Sequence, residues 1–178
     1  MRKISLILAF VAASIAVNAQ EGKMNAIKIN PLSLAVLTGN VAFEHAIGPK
    51  TSVQLGAFYS GASVGGTKYS GWGVTPEFRY YISGEALNGF YAAPFARYQS
   101  FSITDKDADL KTTLTTMGGG ALIGYEHMAG SGFTFDIFAG PNYSKAKFKN
   151  DSDEDTFDIK AAGSGFGVRF GLTIGFGF

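Results

Sequence analysis

The last ten residues of the sequence alternate strictly between large apolar side chains and small or polar ones. The large residues are Phe170, Leu172, Ile174, Phe176 and Phe178, and glycine, threonine or arginine stands before each of them. A period of two over this length predicts a β-strand with one apolar face and one small or polar face. A strand that hides its apolar face in a water-soluble core would be expected to continue into a polar tail, whereas this stretch ends on an aromatic residue. The pattern is typical of a barrel that crosses a membrane, with apolar residues facing lipid and small residues facing a narrow lumen.

The first 19 residues have the three parts of a secretory signal peptide. Arg2 and Lys3 form the positive region, residues 4–17 are apolar apart from serines, and residues 17–19 form the cleavage site. The apolar run is shorter than the roughly 20 residues that a spanning helix needs, which disfavours an uncleaved anchor. We therefore predict export, cleavage after Ala19, and one mature domain over residues 20–178.

The composition favours many strands over an ordinary soluble domain. Charged residues make up 16% of the chain, aromatic residues 14%, and there are 24 glycines, whereas soluble domains are commonly about 25% charged. The absence of cysteine excludes disulfides and cysteine-based zinc sites. The precursor has a net charge of +1, and loss of the two signal-peptide cations makes it −1, so there is no basic excess to attract nucleic acid.

Alternating segments separated by turn residues predict an all-β fold, an eight-stranded antiparallel transmembrane up-and-down barrel. The predicted strands cover residues 24–37, 40–47, 51–60, 71–82, 90–101, 114–128, 132–148 and 169–178. Pro31 cannot donate a ladder hydrogen bond and predicts a bulge or bend in the first strand. One end of the barrel is predicted to carry short turns, and the other end the longer polar loops at residues 61–70, 102–113 and 149–158.

The same alternation sorts the charged residues and predicts a charged lumen. Eight of them fall on the inward face: Lys28, Glu44, Glu77, Arg79, Arg97, Glu126, Asp136 and Arg169. The interior of an eight-stranded barrel is just wide enough for side chains, and charges buried there are costly unless they are paired. Because four cations face four anions, we predict a self-neutralising structural network that closes the lumen to solutes.

A catalytic interpretation of the same residues is less favoured. Paired carboxylates can carry out acid–base chemistry, but they need a cleft that a substrate can enter, and this lumen is predicted to be filled. The two histidines, His45 and His127, fall on the outer face near short turns, apart from the carboxylates. We therefore predict no catalytic residue, no enzyme activity and no cofactor.

An acidic run near the end of the chain resembles the opening of a calcium-binding loop. Asp151, Asp153 and Asp155 would occupy its first, third and fifth positions, but Thr156 replaces the expected glycine and Ala162 the bidentate glutamate. The run is therefore not an EF-hand. A solvated loop is favoured over loose binding of divalent cations, and no metal site is predicted.

Three short motifs carry a resemblance to known proteins: an N-x-x-x-E element starting at Asn40, a P-E-x-R-Y element at Pro76 and a G-Y-E element at Gly124. The mature chain resembles small eight-stranded outer-membrane proteins of the OmpA/OmpX type and, more narrowly, an uncharacterised outer-membrane β-barrel family that shares these elements. The resemblance implies the outer membrane of a Gram-negative bacterium and contact with its lipid, including lipopolysaccharide. It also implies insertion by the barrel-assembly machinery, which would recognise the apolar row that ends at Phe178. No activity is implied.

These features lead to one preferred function and several alternatives. We expect a non-enzymatic integral outer-membrane protein whose surface loops support envelope integrity or meet a partner. The alternatives are a narrow pore for small solutes, a lipid-modifying or proteolytic barrel enzyme, and a soluble lipocalin-like binder.

Overall fold

The computed structural model describes residues 22–64, 67–105, 110–150 and 164–178. The elements in it are β1 (Asn25–Ile29), α1 (Pro31–Leu34), β2 (Thr38–Gly48), β3 (Thr51–Val64), β4 (Thr67–Tyr81), β5 (Gly89–Asp105), β6 (Leu110–Met128), β7 (Phe133–Asn150) and β8 (Gly165–Gly177). The signal peptide predicted at residues 1–19 and the acidic run at residues 151–155 lie outside the described residues.

The eight strands form a closed antiparallel barrel. Each strand pairs with its neighbours along the chain, and β8 pairs with β1 to close the ring. The predicted all-β, eight-stranded up-and-down architecture is therefore confirmed. Residues 49–50, 82–88 and 129–132 connect strands at one end of the barrel, which we name the turn end. The opposite end, which carries the other four connections, is named the loop end.

The polar loops predicted at residues 61–70 and 102–113 are largely strand. β3 and β4 remain paired until residues 65–66 separate them, and β5 and β6 remain paired across most of the second predicted loop. Within that stretch the hydroxyl oxygens of Ser102 and Thr113 lie 3.2 Å apart. Threonine favours strands, and polar side chains indicate exposure to water rather than a turn. The predicted difference in loop length between the two ends is therefore wrong for these two connections.

The first predicted strand, residues 24–37, is also wrong beyond Ile29, because a short helix replaces its second half. The Asn30 side-chain oxygen accepts hydrogen bonds from the backbone nitrogens of Leu32 and Ser33, at 3.0 and 3.2 Å. Pro31 occupies the first turn, where its missing N–H costs nothing. Asn30 and Pro31 thus stop the strand and start α1. Among the described residues, no helix is long and apolar enough to cross a membrane.

Because β1 is short, it leaves a gap in the wall of the barrel. It pairs with β8 as far as the Ile29–Ile174 pair and with β2 as far as the Ile29–Val41 pair. Beyond these pairs toward the loop end, β8 is paired with β7 alone within the described part of the chain. Helix α1 packs against both β2 and β8 at this position. We name this gap between β2 and β8 the notch.

The two faces of the barrel have opposite polarity, as the alternation predicts. Large apolar side chains such as Val41, Leu55, Phe78 and Ile137 are exposed on the outer face. The inner face carries the buried polar residues, and the apolar residues buried with them include Tyr81, Tyr91, Ala93, Phe95, Leu122 and Phe138. The side chains that fill the lumen are therefore charged, polar and aromatic.

Inward-facing glycines make room for these aromatic rings, and Gly124 provides a test. A methyl group added at Gly124 would lie 2.5 Å from the ring of Tyr91, whose hydroxyl is held by Asp136 at 2.8 Å. We expect Gly124→Ala to reduce the free energy of unfolding by about 1–3 kcal/mol, the usual cost of overpacking. Gly130→Ala is the control, because no atom of the described residues, apart from the two chain neighbours, lies within 4 Å of the added methyl there. Equal urea-unfolding midpoints for the two variants would contradict this packing.

Candidate functional site

All eight of the charged residues predicted for the lumen lie inside the barrel. The five that are fully buried near the turn end form what we name the central cluster: Lys28, Glu44, Arg79, Glu126 and Asp136. Glu77 is buried beside them. Arg97 and Arg169 lie further toward the loop end and line a cavity there. Alternation along the strands therefore assigned the correct side of the wall to every one of these residues.

Arg79 is the centre of the cluster. Its Nη1 lies 3.1 Å from Glu44 Oε2, 3.1 Å from Glu126 Oε2 and 2.9 Å from Asp136 Oδ2. Its Nη2 lies 3.1 Å from Glu77 Oε2. A guanidinium presents several N–H donors in a fixed plane, and this geometry lets one cation contact carboxylates that come from different strands.

Lys28, on β1, contacts three of the acids that Arg79 contacts from β4. Its Nζ forms ion pairs with Glu44 and with Glu126, and lies 3.5 Å from Asp136 Oδ2. Two cations therefore face three carboxylates in the central cluster. Buried carboxylates are tolerated when hydrogen bonds as well as charges satisfy them, so the remaining negative charge requires further donors.

Hydroxyl groups supply these donors. The Tyr81 hydroxyl lies 2.8 Å from Glu44 Oε1 and 2.6 Å from Glu126 Oε2, so that its single proton serves one carboxylate at a time. The Tyr91 hydroxyl donates to Asp136, and Ser52 donates to Glu44. The sequence prediction gave none of these hydroxyls a role. Their inward position in the alternation, next to charged residues, was the available signal.

Arg169 joins the central cluster to the rest of the lumen. Its Nη2 lies 2.6 Å from Glu77 Oε1, and Glu77 in turn contacts Arg79. The Arg169 guanidinium also stacks over the rings of Phe95 and Phe138, at 4.7 and 4.8 Å from their centres. We name these two rings the aromatic floor, because they separate the central cluster from the cavity on the loop-end side.

Arg97 departs from the predicted self-neutralising network. Its Nε donates to Thr75 Oγ1 at 3.1 Å, and no carboxylate of the described residues lies within ion-pair distance of it. Arg97 lies beyond the aromatic floor, whereas the nearest acid, Glu77, is already bound by Arg79 and Arg169. Arg97 therefore stays outside the ion pairs that the described residues form.

The histidines lie apart from the carboxylates of the lumen. His45 Nδ1 is 2.8 Å from the side-chain oxygen of Asn25, and His127 Nδ1 is 3.2 Å from that of Asn88. Neither histidine therefore combines with a luminal acid in a catalytic arrangement. Over the described ranges, no three histidine, aspartate or glutamate side chains are arranged to hold a metal ion.

The central cluster makes a stability prediction for Arg79. Arg79→Ala leaves three buried carboxylates with Lys28 as their one remaining cation in the cluster, and breaking a buried pair in this way costs about 3–5 kcal/mol. We expect a loss of that size in the free energy of unfolding of the refolded protein, measured with urea in detergent micelles. Lys147→Ala removes the same charge from an exposed position on β7 and serves as the control. Equal losses in the two variants would show that the cluster does not stabilise the barrel.

The sequence was compared with known proteins and families. No curated protein matches it. Residues 5–176, nearly the whole sequence, match the family described as Protein of unknown function (DUF3575). With its closed eight-stranded barrel, the chain thus belongs to the DUF3575 family.

Proposed function

We propose that this protein is an integral outer-membrane β-barrel without catalytic activity, whose lumen is closed by the central cluster. The observation that carries the proposal is the reversed polarity of the barrel. Arg79, Lys28 and three carboxylates are fully buried, while apolar side chains cover the outer face. Soluble monomers rarely expose apolar patches of more than a few hundred Å². Hydrocarbon is the solvent in which such an exterior is stable.

The lengths of the strands support an orientation in the membrane. A strand crosses the hydrocarbon with about 9–11 residues, whereas β6 has 19 residues and β7 has 18. Their extra length lies toward the loop end, where β7 carries the exposed Lys145 and Lys147. Outer-membrane barrels place short turns in the periplasm and extend on the opposite side. The turn end is thus the periplasmic end in this proposal, and the loop end projects from the cell.

Residues of the turn between β4 and β5 cover the turn end of the lumen, which supports a lumen closed to solutes. The turn between β4 and β5 folds back so that Leu87 is 1% exposed, and Ala86 packs against the aromatic residues of the interior. The backbone of Leu87 has a positive φ of 69°, which is unfavourable for a leucine. A leucine keeps such a backbone conformation when its surroundings hold it there. The Leu87 side chain and the central cluster, which lies on its loop-end side, together obstruct the lumen.

The partners in this proposal follow from the same setting. Lipid of the outer membrane, including lipopolysaccharide, would cover the apolar exterior. The barrel-assembly machinery would recognise the apolar row of β8, from Phe170 to Phe178. The hairpins at the loop end would face the environment, where they support the envelope or meet a partner.

The membrane setting makes a prediction for the outer face of β3. Leu55 is exposed there and is the fifth residue of β3 from the turn end, which is the centre of a crossing of about 9–11 residues that starts at that end. An arginine near the centre of the bilayer costs about 2–4 kcal/mol. We expect Leu55→Arg to lower the free energy of unfolding by that amount in phosphatidylcholine vesicles. The emission of Trp72, the one tryptophan, reports the unfolding in urea.

Ser63→Arg is the matched control, because Ser63 is exposed on the same face of β3 but lies near the loop end. It should change the stability by no more than about 0.5 kcal/mol. Equal small effects at both positions would mean that the outer face contacts water. Recovery of the wild-type protein from the soluble fraction of a Gram-negative host, rather than from its outer membrane, would also contradict the proposal.

The closed lumen is tested by conductance. The purified wild-type protein, inserted in a planar bilayer, should show no stepwise current, because the central cluster and Leu87 block a continuous water path. Folding of the added protein is verified by resistance of its band to unfolding in detergent before heating. Steady unitary steps from protein verified in this way would favour the narrow pore and exclude a closed lumen.

A further inference from the structure

A cavity of about 280 Å³ occupies the lumen on the loop-end side of the aromatic floor. Its lining is mainly polar and includes Asn30, Asn40, Gln99, Thr116 and Asn142. Amide and hydroxyl groups of this kind orient small polar ligands in protein pockets. The volume lies near the lower limit for ligand pockets, which fits a single small group rather than a large molecule.

Two arginines give this cavity a positive charge. Arg97 and Arg169 both line it, and their charges repel each other. Glu77 forms an ion pair with Arg169, but it also forms one with Arg79, so its single negative charge is shared. The charge of Arg97 is therefore without a paired acid in the described part of the chain. A positive excess inside a polar cavity favours an anion.

The donors of the two guanidinium groups are not fully used. Arg169 Nη1 is buried and has no hydrogen-bond partner among the described residues, although Nη2 of the same side chain is bound to Glu77. Arg97 uses Nε to contact Thr75. An unpaired buried donor is costly, and guanidinium groups bind phosphate and carboxylate groups with two parallel hydrogen bonds. The cavity thus presents charge and donors that suit such a group.

The notch places the cavity next to the outer face of β8. Asn30 and Asn40 line the cavity on one side of the notch, and Val168 and Phe170 of β8 line it on the other. Val168 and Phe170 are also 73% and 75% exposed on the outer face. A ligand with an anionic group and an apolar chain could therefore place the anion at the arginines while its chain lies along the apolar side of β8.

We propose that this cavity is a binding site for a phosphate or carboxylate group, held by Arg97 and Arg169 and oriented by Asn142 and Gln99. The group can belong to a free anion that enters from the loop end or to a lipid headgroup that enters through the notch. Such a site is a function in addition to that of a closed structural barrel, and it lies on the loop-end side of the central cluster. Its failure would leave the proposed membrane function standing.

The test uses the mature chain refolded in phosphatidylcholine vesicles, with the urea midpoint as the measure of binding. In one arm, potassium phosphate is compared with potassium chloride at equal ionic strength, so that general screening is the same. In the other arm, part of the neutral lipid is replaced by phosphatidylglycerol. The wild type should be stabilised in at least one arm. Stabilisation by phosphate alone identifies a free anion, and stabilisation by phosphatidylglycerol alone identifies a headgroup.

The variant Arg97→Gln removes the unpaired charge. Without an anion it should be at least as stable as the wild type, because its repulsion with Arg169 is lost. Its dissociation constant for the anion should rise by about tenfold or more, the effect of one charged hydrogen bond. Lys147→Gln removes a cation from the exposed face of β7 and should behave as the wild type does.

A second variant keeps the test decisive if Arg97→Gln folds poorly. Asn142→Asp preserves the shape of the side chain and places a negative charge in the cavity, so it should abolish stabilisation by the anion. No stabilisation of the wild type in either arm would overturn the proposal. Equal stabilisation of the wild type and of both cavity variants would overturn it as well.

Discussion

The contacts of Arg79 with four carboxylates are the interaction on which the rest of the interior depends. Glu44, Glu77, Glu126 and Asp136 come from β2, β4, β6 and β7, and the Arg79 side chain reaches all of them from β4. Hydrogen bonds in the wall connect each strand to its neighbours, whereas this cation connects strands across the lumen. An eight-stranded barrel leaves room for side chains alone. The charges that fill it must therefore satisfy one another, and Arg79 is the cation that contacts all four acids.

This arrangement separates charge along the axis of the barrel. Three carboxylates gather around Lys28 and Arg79 near the turn end, and hydroxyl groups support the acid that exceeds the two cations. Glu77 is shared with Arg169 across the aromatic floor. The eight charged residues predicted for the lumen are four cations and four anions, yet Arg97 is left beyond the floor without an acidic partner among the described residues. The cluster that fills one half of the lumen thus leaves an excess of positive charge in the other half.

The alternation of residues determined which side of the wall a side chain faces, but not how far along the axis it lies. Phe170 and Glu126 were placed on the correct faces, since a strand has a period of two whatever its partner is. The ion pairs depend on the heights of residues in different strands, which follow from the register between strands and are not visible in any one segment. That is why the sequence did not show that Arg97 would lie apart from the luminal acids. Asn30 and Pro31 did carry a local signal for a helix start, but the apolar residues after them also suit a strand.

The short first strand connects the wall of the barrel with its cavity. Because Pro31 cannot extend the ladder, β1 ends at Ile29. Toward the loop end, the edge of β8 that faces the notch is therefore not paired with any described strand, while its other edge stays paired with β7. In a membrane, an unpaired backbone edge is stable where it lines a water-filled space or is covered by protein. The polar cavity and α1 lie at this edge and meet both conditions. In the proposed membrane setting, the polar cavity gives this edge a hydrated space beside it, and the charge of Arg97, which has no acidic partner among the described residues, favours that hydration.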